Sequence, residues 1–463
     1  MPVEAFLAAQ EPGLKGFVPT PAPLVDHMVD KLFRAAPPSP SSTLLDPGCG
    51  AGAFVEGVVR WCTRAGVPIP WITALDSDPE RLREARRVLP DIERVKLVQE
   101  DFLVPRRDQF DYIIGNPPYV AITGLDTEER ARYRRQYLTA VGRFDLYTLF
   151  FEQALRLLKP GGRLVFVTPE KFLYVQSASR LRQELATTGV EEIELIDEGA
   201  FAGLVTYPAI TTVSRRKPGQ TVRVVARDGS ARQVPLRGSG ASWLPDVNGV
   251  AHAEAPHSLA EAFLRISCGV ATGADSIFVV RGDELPPMLR EFAYPTISGR
   301  EIAVGEQPRP RHQMLVPYSR DGELLSEGQL GPLRTYLAHP ARRARLSERT
   351  CVARKPWYAF HENPPLGEIL RPKILCKDIG ARPWFVADEG GSIVPRHSVY
   401  YLVPKDAGMI HSLCDYLNSP SVSDFLVANC QRAANGFLRL QSHVLKRVPL
   451  PAHLATDPQM AIA

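Results

Sequence analysis

The tetrapeptide Asn116-Pro117-Pro118-Tyr119 brings together an amide side chain, two prolines and a phenol ring. That combination suits one difficulty, the poor nucleophilicity of an exocyclic amine, whose lone pair delocalises into its ring. Two acceptors on that NH2 group hold its nitrogen nearer to tetrahedral and aim the lone pair at an electrophile. The Asn116 side chain offers one acceptor. The Pro117 carbonyl offers the other, and two prolines fix its direction. The ring face of Tyr119 suits a stacked planar base. Taken alone, Asn-Pro-Pro is also a rigid turn; its place directly after an apolar run favours the chemical reading.

A second cluster lies upstream. Asp46-Pro47-Gly48-Cys49-Gly50-Ala51-Gly52-Ala53-Phe54 is a glycine-rich turn that lets a ligand approach the backbone closely. Gly48-x-Gly50-x-x-Ala53 satisfies the loose dinucleotide pattern, which is weak evidence by itself. Asp76 can accept two hydrogen bonds from a ribose diol, a task shared by nicotinamide and S-adenosylmethionine enzymes, or simply cap a helix ahead of Pro79. The tetrapeptide decides between them, since a nicotinamide enzyme has no use for it there. Cys49 fits the turn through its size rather than its reactivity.

These residues must be held by alternating elements. Strand-like runs at Thr43–Asp46, Trp71–Leu75, Val95–Val98, Asp111–Gly115 and Arg163–Thr168 alternate with helix-like stretches at Phe54–Arg64, Arg81–Val88 and 146–158. Lys159-Pro160-Gly161-Gly162 stops the last helix. The pattern predicts a parallel sheet with helices on both faces. Ligands of such sheets sit beyond the carboxyl ends of the strands, where Asp46, Asp76, Asp101 and Asn116 all fall. After Val213 the texture changes. A hairpin is expected around Asp228-Gly229, Arg237–Ser242 reads as a linker, and a Pro- and Gly-rich α+β region follows. The expected domains are 1–236 and 237–463.

The 463 residues are 44% apolar and 23% charged, with a net charge of +4, which excludes global disorder. No apolar run approaches the length of a spanning helix, and Met1–Gly16 lacks the pattern of a secretory signal. Seven scattered cysteines, without a CxxC pair or Cys/His cluster, argue against a disulfide framework or structural zinc; no metal site is expected, and a cytoplasmic compartment fits. From residue 214 onward there are 31 Lys and Arg against 23 Asp and Glu; before it, 24 against 28. Such asymmetry suits a polyanion on the second part. Arg342, Arg343, Arg345, Arg349, Arg354 and Lys355 form a basic run that either contacts phosphates or simply faces solvent. Gln431, Arg432, Asn435, Arg439 and Gln441 are types suited to base-edge or phosphate contact. Trp357, Tyr358, Trp384 and Phe385 read as core rather than as stacking rings.

The motif order resembles the γ-class DNA methyltransferases acting on adenine N6, in the Taq-type group. Gly16-Phe17-Val18-Pro19-Thr20-Pro21, Asp46–Phe54, Leu75–Pro79, Glu100-Asp101-Phe102-Leu103, Asn116–Tyr119 and Phe151–Gly162 carry the likeness over residues 16–213. Ala271–Phe278, Gly299–Ile302, Leu413–Ser419 and Phe437–Pro451 look like pieces of a target-recognition domain. The resemblance implies a Rossmann-like S-adenosylmethionine-dependent methyltransferase domain followed by a smaller α+β recognition domain. It implies S-adenosyl-L-methionine held by Thr20, Asp46, Gly48, Gly50, Gly52, Phe54, Asp76, Asp101, Phe102, Asn116 and Pro118. Asn116, Pro117, Pro118 and Tyr119 would receive an adenine flipped out of double-stranded DNA. Phe201 would supply a second stacking ring, or Tyr207, since the loop between them looks longer than in the Taq-type enzyme. The resemblance implies the role of a modification enzyme in a bacterial cell, nucleoid-associated, with a cognate restriction endonuclease as partner or none.

Three rivals remain at this level. A cytosine-N4 enzyme usually has Ser or Asp where this chain has Asn116. A protein-glutamine N5 methyltransferase shares the tetrapeptide but lacks so long a basic second half. A DNA-binding module with a degenerate catalytic domain is opposed by the intact tetrapeptide and glycine turn.

Overall fold

A computed structural model describes residues 18–89, 93–197, 199, 201, 207–216, 219, 221–249, 256–433 and 436–455. Gly16, Phe17 and Asn435 from the sequence reading lie outside the described residues. The chain divides into two compact units, 1–250 and 251–463.

In the first unit the carboxyl-edge geometry follows from strand pairing. β1 (Thr43–Asp46), β2 (Trp71–Asp76), β3 (Val95–Gln99), β4 (Phe110–Gly115) and β5 (Leu158–Pro169) lie parallel in the order β3-β2-β1-β4-β5. The sheet continues with β7 (Pro208–Ser214), β6 (Val190–Leu195), β8 (Val222–Val225) and β9 (Ala231–Val234). Successive side chains of the central strands enter opposite cores, as a doubly covered sheet requires. Leu45, Ile113, Leu164 and Phe166 join one core, and Leu44, Ile114, Val165 and Val167 the other. Helices α1 (Ala22–Phe33), α2 (Ala53–Ala65) and α3 (Pro79–Val88) supply the second core; α4 (Thr127–Gln136), α5 (Leu146–Leu157) and α6 (Ser179–Thr188) supply the first. Gly57 brings α1 and α2 together, since a Cβ there would stand 2.4 Å from Val25 Cγ1.

Three expectations need correction. The sheet is mixed rather than parallel: the chain turns back after β6, so β7 runs antiparallel to both β5 and β6. The helix stops ahead of Lys159–Gly162 as expected, but that segment lies inside β5, not before it. α5 ends at Leu157, and Leu158, the first residue of β5, at once pairs with Phe110 of β4; pairing then shifts register and resumes at Tyr112 and Arg163. Pro160 still forbids continuation of the helix, but the chain leaves it as strand. Finally, the unit boundary lies beyond Leu236. Trp243 is fully buried and packs with Val247 of α7 (Leu244–Asn248) in the first unit's core. Buried Arg182 donates from Nη2 to the Gly240 carbonyl (2.8 Å) and from Nε to the Ala241 carbonyl (2.8 Å). Its glycines and serines make this stretch resemble a linker, whereas the tryptophan anchors it. The hairpin of β8 and β9 forms as expected.

The second unit is α+β. One four-stranded antiparallel sheet is ordered Phe263–Cys268, Val399–Pro404, Lys373–Lys377, Phe385–Asp388, and a second is ordered Val279–Arg281, His312–Leu315, Ala293–Ile297, Val394–Pro395. Helices Ile410–Leu417 and Pro420–Asn429 lie within it. Lys373 and Asp388 form a buried ion pair at 2.5 Å. Tyr358 and Phe385 are core residues, and Trp357 and Trp384 pack against the core, as expected of them. All seven cysteines are unpaired. Among the described residues no helix is long and apolar enough to cross a membrane, and no group of three His, Cys, Asp or Glu side chains could hold a metal.

Candidate active site

β1, β2, β3 and β4 end on one edge because they are parallel, and the chain order reverses between β1 and β4. The crevice at such a reversal is where open α/β sheets bind ligands. A cavity of about 660 Å³ opens there, lined from β1's turn by Pro47, Gly48, Cys49, Ala51 and Phe54. Asp76, Ser77 and Asp78 follow β2, and Glu100, Asp101 and Phe102 follow β3. Thr20, Asn116 and Pro118 close the end beside β4.

The glycine turn is held by backbone and carboxylate together. The Cys49 amide donates to the Leu75 carbonyl (2.8 Å), and the Gly50 amide donates to Asp76 Oδ2 (2.9 Å). Asp76 Oδ1 accepts from the Asp78 amide (2.9 Å). Gly52 has a φ of 88° and caps α2, a conformation that needs glycine. Gly48 is different: a Cβ there would meet nothing nearer than Phe150 Cε1 at 3.8 Å. The room its missing side chain leaves is space in the cradle.

Beneath the turn Asp46 is fully buried, and neither of its carboxylate oxygens finds a geometric hydrogen bond. Burial pushes its pKa up to about 8, opposed by the Gly48 amide and assisted by Asp76. Burial likewise raises Asp76. Asp46 and Gly50 therefore shape the cradle from behind instead of lining it. Asp101 Oδ1 accepts from the Leu103 amide (2.9 Å), and Phe102 packs on Phe150 with ring centroids 5.0 Å apart.

Asn116 is oriented by the N-terminal segment. Its Nδ2 donates to the Val18 carbonyl (3.0 Å) and to Thr20 Oγ1 (3.1 Å). A carbonyl can only accept, so this partner fixes which way the amide faces. Oδ1 is left buried with no partner. Pro117 is buried, and Tyr119 is partly buried, with a hydroxyl that is buried and unpartnered. Burial drives that phenol well above its ordinary range. Phe201 is 2% exposed and meets Tyr119 edge to face, with centroids 6.5 Å apart at 83°. The ring of Tyr207 carries the Arg227 guanidinium at 5.0 Å. Glu198, Ala200 and residues 202–206 lie outside the described residues.

Eight of the residues expected at the cofactor thus line one cavity: Thr20, Gly48, Phe54, Asp76, Asp101, Phe102, Asn116 and Pro118. Sequence reasoning missed Glu129 and Tyr133 of α4 and Leu146 and Phe150 of α5 as lining residues. Both pairs are spaced i, i+4 on one helix face. The capping box of Asp126 and Glu129 was the available signal that a helix begins there. The cavity's chemistry fits S-adenosyl-L-methionine. It offers paired carboxylate oxygens at β2 for a diol, an aromatic and acidic pocket after β3 for a purine, and free space at Gly48.

Comparison with known proteins agrees with this architecture. Residues 77–200 match the family model described as Eco57I restriction-modification methylase, and residues 334–450 match the TaqI-like C-terminal specificity domain. The chain belongs to the Type II restriction-modification DNA methyltransferases, a Rossmann-like S-adenosylmethionine-dependent domain followed by a specificity domain. It is 30% identical to Type II methyltransferase M.PaeR7I of Pseudomonas aeruginosa, over 77% of this chain and 67% of that protein. It is 27% identical to M.XhoI of Xanthomonas vasicola, over 80% and 74%. Among solved structures, that of the type IIG restriction endonuclease BpuSI is similar at 14% identity and a TM-score of 0.46, over 97% of this chain and 60% of that one.

Proposed function

We propose that this methyltransferase acts on N6 of an adenine flipped out of double-stranded DNA at a specific site, as the modification partner of a restriction endonuclease. The observation that carries the reading is the Asn116 amide. Its nitrogen is committed to Val18 and Thr20, and its oxygen is buried and unpaired beside the cradle. A buried acceptor without a donor is costly, and an exocyclic amine placed there satisfies it. The Pro117 carbonyl is the second acceptor of that NH2 group, and Tyr119 offers its ring to one face of the base. S-adenosyl-L-methionine, held by Asp76, Asp101, Phe102 and the glycine turn, supplies an electrophilic methyl group. The protein's task is therefore orientation of the amine. The amine's proton becomes acidic once the fourth bond to nitrogen forms, so it needs no dedicated base.

The test is long-read modification sequencing of DNA from a methylation-deficient bacterial host expressing the chain, beside its Asn116→Ala variant. N6-methyladenine at one recurring site, absent with the variant, is expected. N4-methylcytosine would overturn the choice of base, and undiminished marking by the variant would remove Asn116 from its role.

A further inference from the structure

The tetrapeptide is tied at one end through Asn116; near its other end, outside the cofactor cavity, stands an ion pair. Lys171, just past β5, donates from Nζ to Asp145 Oδ1 at 2.9 Å and stands 2.9 Å from Oδ2 as well. The Asp145 side chain is 11% exposed, so this is a largely desolvated carboxylate with a cation across both oxygens.

Its surroundings make the pair a link between a fixed and a dependent segment. The segment carrying Lys171 is fixed. Arg182 donates from Nη1 to the carbonyls of Phe172 (2.6 Å) and Val175 (2.9 Å), and the Trp243 amide donates to the Leu173 carbonyl (2.7 Å). Glu170, next to Lys171, pairs with Arg227, and its amide donates to the Tyr207 carbonyl. The segment carrying Asp145 is laid against the continuation of the tetrapeptide. Asp145 forms an antiparallel bridge with Ala121. The Leu146 amide donates to the Val120 carbonyl (2.8 Å), and the Ile122 amide donates to the Phe144 carbonyl (3.1 Å). Val120 follows Tyr119 directly.

We propose that Asp145 and Lys171 are positioning residues, a clamp that registers the Tyr119 end of the catalytic loop against the end of β5. Neither belongs to the cofactor cradle. The proposal rests on the methyl-transfer reading above and adds to it the means by which the base-stacking ring is held in place. In-line attack tolerates little displacement, and a misplacement of about 1 Å can cost about 100-fold in rate. Loss of the clamp is therefore expected to slow transfer without weakening the cofactor.

The experiment compares the full-length wild type with Lys171→Met, Lys171→Arg and the double variant Asp145→Asn/Lys171→Met. The double variant removes the pair without leaving a buried lone charge, so it separates positioning from misfolding. Single-turnover transfer to a duplex carrying the methylated site is measured at saturating duplex and cofactor, with S-adenosyl-L-methionine affinity measured by calorimetry. The expected result is a drop of at least about 10-fold in rate for Lys171→Met and for the double variant. Cofactor affinity should stay within about threefold, and Lys171→Arg should restore most of the rate by keeping a donor to Asp145. A double variant as fast as wild type overturns the proposal, and so does a fall in cofactor affinity that matches the fall in rate. A wild-type chain that transfers nothing overturns the underlying reading and the proposal with it.

Discussion

Asp76 does two things with one carboxylate: it ties the glycine turn through Gly50, and it presents its remaining lone pairs to the cavity. Asp76→Ala should weaken S-adenosyl-L-methionine binding by about 10-fold or more, the scale of a lost charge-assisted hydrogen bond. Calorimetry showing unchanged affinity would remove it from the site. Asp46, fully buried, is raised by that burial to a pKa of about 8. The native state keeps this proton through neutral pH, whereas the unfolded chain loses it near pH 4. Its contribution to stability is therefore full below about pH 4, falls as pH rises toward 8 and then levels off. Denaturant midpoints across that range should show the decline in the wild type, and Asp46→Asn should flatten it. These residues were legible because each ends a strand-like run. The pairing of Asp145 with Lys171 was not, since 26 positions separate two individually unremarkable residues.

At the scale of elements, α1 reaches the site by packing. The segment just before it supplies Val18 and Thr20 to Asn116, and α1 is pressed to α2 over Gly57. An alanine at a helical glycine normally gains about 1 kcal/mol. Here the new methyl group collides with Val25, so Gly57→Ala should lose about 1–2 kcal/mol in thermal or denaturant unfolding. A stabilised variant would show that α1 yields freely. Strands β1 to β4 were readable since each is an apolar run closing on a polar residue. The reversal of β7 was not, because its seven buried residues, Pro208–Ser214, read alike in either direction. Strand direction is settled by the connection and by the neighbours, which local pattern does not carry.

For the molecule as a whole, the basic run of the second unit illustrates what a sequence conceals. Arg342 and Arg343 lie over the rings of Tyr336 and Trp357. Arg349 donates to the carbonyls of Leu346, Thr272 and Trp357, and Lys355 to those of Phe360 and His361 and to Asn363. Arg343 has the Trp357 ring as its contact, its Nη1 being buried without a hydrogen bond, whereas Arg345 and Arg354 are exposed and have no side-chain hydrogen bond, ion pair or ring contact among the described residues. All six charges persist, since these partners are neutral, but Arg345 and Arg354 are the two whose side chains are not already held against the fold. Arg345→Ala/Arg354→Ala should lower the slope of log affinity against log salt for DNA by up to about 2. An unchanged slope would show that neither meets a phosphate. Composition could announce the charge but not which of these side chains the fold already holds. The stretch from Arg237 to Val247 teaches the same lesson in a practical form, as an instruction on where this protein can be cut. An expression fragment stopped at Leu236 deletes Trp243 and strips the Gly240 and Ala241 carbonyls from a buried arginine. It should precipitate or melt early, whereas a fragment carried through Gly249 keeps its own closing stitch.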